Sequence, residues 1–102
     1  MEDVYKMEIT LAEETYKQKA QVAAGPANQN RRALIALHTA NNTASHSAER
    51  LGWACAIAAR KHAESTAERA ALYEQALNAY WNALDHARFA ATALALANEC
   101  KS

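Results

Sequence analysis

The sequence predicts an all-α protein of three helices: a long antiparallel helical hairpin plus a shorter N-terminal helix, completing a helical bundle by dimerisation. Two observations carry this. With only 2 glycines and 1 proline in 102 residues, the chain has few places to turn and reads as a few long helices rather than a sheet. Apolar residues also recur at alternating steps of three and four along two long stretches, the period of a helix and not of a strand. The hydrophobic fraction of 51% is rich in alanine, which predicts one domain over residues 1–102 with a thin core.

The first helix is expected at about 3–24. It carries Tyr5, Ile9, Ala12, Tyr16 and Ala23 on one face and Val4, Met7, Leu11 and Val22 on another. It stops at Gly25 and Pro26, since glycine suits a left-handed helix cap and proline the first turn of the next helix.

The second helix is expected at about 27–63, and it contains the stretch TANNTASHSAER at 39–50. These residue types favour caps and turns over helix interiors. A loop would reset the helical phase, yet steps of three and four from Leu34 run through Leu37, Asn41, Ala44, Ala48, Leu51, Cys55, Ala58 and His62 without a slip. The stretch therefore reads as part of one continuous helix. Asn41, on the seam, is expected to be buried, to fix register and to lie level with Arg88. Around it Asn42, Ser45, His46 and Glu49 form a polar window that suits a small polar ligand or a partner's backbone.

The third helix is expected at about 66–99, opened by the capping box Ser65-Thr66-Ala67-Glu68. It has two adjacent stripes. One is Ala70, Tyr73, Leu77, Tyr80, Leu84, Ala87, Ala91, Leu94; the other is Leu72, Ala76, Ala79, Ala83, His86, Ala90, Ala93, Ala97. A helix with two seams touches two neighbours. Folding the hairpin about residue 64 sets Ala44 level with Leu84, Ala48 with Tyr80 and Cys55 with Tyr73, small against large. Cys55 and Cys100 then lie roughly 35–40 Å apart, too far for an intrachain disulfide.

A first helix of about 22 residues spans about 33 Å, so turning straight back it reaches only to about residue 47 of its neighbour. Residues 48–81 are then a bare two-helix hairpin carrying Trp53, Ile57, Leu72, Tyr73 and Trp81. These are the expected self-association residues of a homodimer or higher even oligomer. On the far side of the third helix Arg88, Phe89, Thr92 and Leu96 form a second patch, suited to a different protein partner.

Catalytic apparatus is not expected. There is no phosphate-binding glycine loop, nucleophile elbow, Cys-x-x-Cys or Glu-x-x-His. His46 and Glu49 point outward as a two-ligand pair, and Cys55 and His62 are about 10 Å apart along the helix, too far to share a metal. No metal or cofactor is therefore predicted. The balance of 11 basic and 11 acidic residues gives no net field toward nucleic acid or an anionic membrane. No apolar run approaches the roughly 18 residues of a membrane span, and the acidic start argues against a signal peptide, so the expected location is cytoplasmic. The expected function is a small homo-oligomeric protein-binding module acting as regulator, adaptor or inhibitor, a type of chain that mobile elements can encode. The alternative is a ligand-binding bundle holding a small molecule between protomers near Tyr73, Cys55 and Trp53.

Overall fold

The computed structural model describes residues 4–24 and 30–100. They form α1 (Val4–Ala23), α2 (Arg31–Lys61) and α3 (Thr66–Glu99), packed into a rod of 56 × 19 × 15 Å. Among the described residues all regular structure is helical.

Each terminus follows from its residues. Asn30 caps α2 by accepting from the Ala33 amide at 2.8 Å, so the helix opens at Arg31, four residues later than the spacing predicts. The predicted start at 27–29, with Gly25 and Pro26, lies outside the described residues. Arg60 and Lys61 close α2, where cations complement the helix dipole. Ser65 caps α3 by accepting from the Glu68 amide at 3.1 Å. Glu68 does not close the box on Ser65. Its carboxylate accepts from the Glu64 amide at 3.5 Å and from the Tyr5 hydroxyl at 2.9 Å, tying the hairpin turn to α1.

α2 runs unbroken through the polar window and pairs with α3 at the predicted register. Ser45 donates to the Ala83 carbonyl at 2.7 Å and His38 Nδ1 to the Ala90 carbonyl at 2.8 Å. What faces across is different. The buried residues of α3 are Ala76, Ala79, Ala83, Ala90, Ala93 and Ala97, set against Ala44, Ala48, Cys55 and Ala59 of α2. Small packs on small, correcting the expected pairing with Leu84 and Tyr73, while Tyr80 still lies half-buried against α2. Two alanine seams let the backbones come close enough for short α2 side chains to reach α3 carbonyls, whereas leucine or tyrosine there would hold the axes apart. Apart from Tyr80, the large side chains of the other stripe, Tyr73, Leu77, Leu84 and Leu94, are left on the outside.

α1 lies antiparallel to α2 and reaches α3 through side chains. The Tyr5 ring stacks on His62, centroids 4.7 Å apart and planes within 3°. Ile9 joins a core with Leu51, Cys55, Ala58, Ala76 and Ala79, and Val22 lies beside Ala36, Thr39 and Ala40. α1 therefore lies along α2 from His62 back to Ala36, which corrects the expectation that residues 48–81 are bare. The short-reach estimate assumed that α1 turns straight back at the start of α2. Instead Tyr5, Ile9 and Tyr16 anchor it further along. What stays open is the opposite side of the hairpin.

Candidate interaction surface

The polar window separates into three parts. Asn41 is buried, and its amide nitrogen donates to the Leu37 carbonyl at 2.9 Å. That leaves its side-chain oxygen as acceptor for His86 Nδ1 at 2.9 Å, so Nδ1 carries the proton. His86 Nε2 must then accept from the Tyr16 hydroxyl, 3.0 Å away. A single chain of hydrogen bonds, Tyr16 to His86 to Asn41 to Leu37, joins all three helices. The partner of Asn41 is thus His86 and not Arg88, which is exposed. His86 sits on the alanine stripe, and the choice of the wrong stripe as the inner one hid it.

Burial lowers the His86 pKa, with the Asp85 charge opposing, and burial followed by Asp85 raises that of Tyr16. Both shifts favour the neutral pair that the bond directions require. Beside this chain, Asn42 donates to His38 Nε2 at 3.3 Å, which fits His38 donating from Nδ1 to Ala90. Ser45 is spent on Ala83. His46 and Glu49 are exposed, His46 beside Ser47 and Arg50 at the edge of α1. Asn41 and Ser45 tie α2 to α3, while Asn42, His46 and Glu49 face solvent.

Cys55 is fully buried, and burial, then the Glu13 charge, pushes its thiol up to about 11. His62 lies at the C-cap of α2 and is exposed, so the pair does not share the inner seam as the periodicity suggested. Neither Cys55 nor Cys100 is in a disulfide. Among the described residues no three His, Cys, Asp or Glu side chains gather as a metal would need.

The surface is more distinctive. Trp53 and Trp81 are 62% and 61% exposed, Leu77 58% and Leu84 52%, and Tyr73 and Ile57 are also open. Leu72 differs from these, packing half-buried against the core that holds Ile9. The Tyr80 ring lies across Gly52, where an added methyl would sit 2.7 Å from it, so α3's outer stripe is linked to α2 on this side. Phe89 and Leu96 are exposed with Arg88 and Thr92 beside them, and α1 does not cover that patch. Sequence reasoning missed Leu77 and Leu84 as surface residues because it assigned their stripe to the hairpin interior. No family model, curated protein or solved structure matches this chain.

Proposed function

We propose that the protein is a binding module that works as a homodimer, its copies meeting on the side of the hairpin opposite α1. The observation that supports this is the outward stripe of α3: Tyr73, Leu77, Leu84 and Leu94 are exposed while the alanines a quarter turn away are buried. With Trp53, Trp81 and Ile35 these side chains leave open an area of roughly 700 Å², close to the roughly 800 Å² per partner of a stable interface. Contiguous apolar surface of this extent marks a protein contact. A dimer built there keeps the Phe89 and Leu96 patch free, and on this reading that patch takes a different protein, making the molecule a regulator, adaptor or inhibitor that acts by binding and not by chemistry.

Light scattering tests the dimer. Wild type is expected at twice the chain mass of 11.1 kDa, and a Leu77→Glu, Leu84→Glu variant at the single mass with its helical circular dichroism intact, since both positions are on the surface. A wild type of single-chain mass at every concentration would sink the reading.

A further inference from the structure

We infer that the two copies meet antiparallel along α3, with Leu84 on the two-fold axis. The inference rests on the proposed dimer and specifies how it is built.

The outer stripe is uneven. Its N-terminal half is large (Tyr73, Leu77, Tyr80), its centre is Leu84, and beyond come Ala87 and Ala91 before Leu94. Reversed about Leu84, Leu77 falls level with the partner's Ala91 and Tyr73 with the partner's Ala95. Large then meets small along most of the seam, and the space is filled. A parallel pairing would set large on large at 73, 77 and 80 and leave gaps at 87 and 91. In the antiparallel pair the partner's Arg88 falls one residue from the level of Trp81 on the same flank, where a guanidinium over an indole is favourable.

A second observation agrees without having been used to choose the axis. The bonds from Ser45 to Ala83 and from His38 to Ala90 carry the level of Leu84 across to Ala44 of α2. Rotation about that level sets Ile35 opposite the partner's Trp53. Both are exposed. They are about five full turns apart and so share one side of α2, next to the α3-facing Leu34 and Gly52 and away from Ala40 and Ser47 on the α1 side. Each copy would therefore supply α2 and α3 to a central four-helix layer, with the two α1 helices outside it.

Oxidative cross-linking in a Cys100→Ser background tests the register, Cys55 being buried. Leu84→Cys alone is expected to give a covalent dimer, because a residue on the axis meets itself. Leu77→Cys and Ala91→Cys are each expected to stay uncrosslinked alone and to crosslink when combined in one chain. Those two positions lie about 21 Å apart on their own helix, so the bond must join copies. The Ile35→Cys, Trp53→Cys pair is expected to behave likewise. A protein of dimeric mass in which Leu77→Cys crosslinks alone and Leu84→Cys does not overturns the antiparallel axis but leaves the dimer standing. A single-chain mass at every concentration overturns both.

Discussion

Asn41 puts an amide into an apolar seam, and the cost of burying it is met by His86 and the Leu37 carbonyl. That it would be buried was legible, because the helical phase puts position 41 on the seam. Its partner was not, because that depends on which stripe of α3 turns inward. Asn41→Leu is therefore predicted to destabilise by about 1–3 kcal/mol in denaturant unfolding, since His86 Nδ1–H loses its acceptor inside the protein. His86 gives a prediction in pH. Burial holds its folded pKa below the usual histidine value of 6.5, so the unfolded chain binds the proton more readily. Its contribution is complete above pH 6.5 and is lost as the pH falls through and below that value. Protonation would also set a second N–H against the Tyr16 hydroxyl, forcing it to turn. The denaturant midpoint is expected to fall more between about pH 7.5 and about pH 5 in wild type than in His86→Gln, and equal falls would contradict the account.

At the scale of elements, the alanine seam sets the approach of α2 and α3. Ala83→Leu is predicted to cost about 1–3 kcal/mol by overpacking, read by chemical unfolding. Gly52 is a tight point, since a methyl there meets the Tyr80 ring at 2.7 Å. In a Tyr80→Ala background Gly52→Ala is expected to stabilise by about 1 kcal/mol, the helix-propensity gain, while in wild type the displaced ring cancels that gain. Much of this level was readable in the sequence. Ser65 and Glu68 marked the start of α3, unbroken phase carried α2 through its polar window, and constant rise gave the hairpin register. Which α3 stripe packs inward was not readable, because two adjacent stripes share one period and α2's small residues decide between them. The position of α1 was also hidden, for it is set by Tyr5, Ile9 and Tyr16 meeting distant residues and by no local signal.

The whole molecule is a hairpin with one side covered by α1 and the other lined with Tyr73, Leu77, Trp81, Leu84 and Trp53. Sequence pattern pointed to self-association through Trp53 and Trp81 but attributed the opening to a short α1. The fold moves it to the full length of the opposite side, where it adds Leu77 and Leu84 and withdraws Leu72 to the core. Among the described residues no helix is long and apolar enough to cross a membrane. Both tryptophans, the only two in the chain, sit on it and report its state directly. Acrylamide quenching of tryptophan emission across a dilution series is the most direct measurement. The account predicts protected, blue-shifted emission at high concentration that becomes quenchable and red-shifted on dilution, with the change lost in Leu77→Glu, Leu84→Glu. Emission equally open to quencher at every concentration would contradict it.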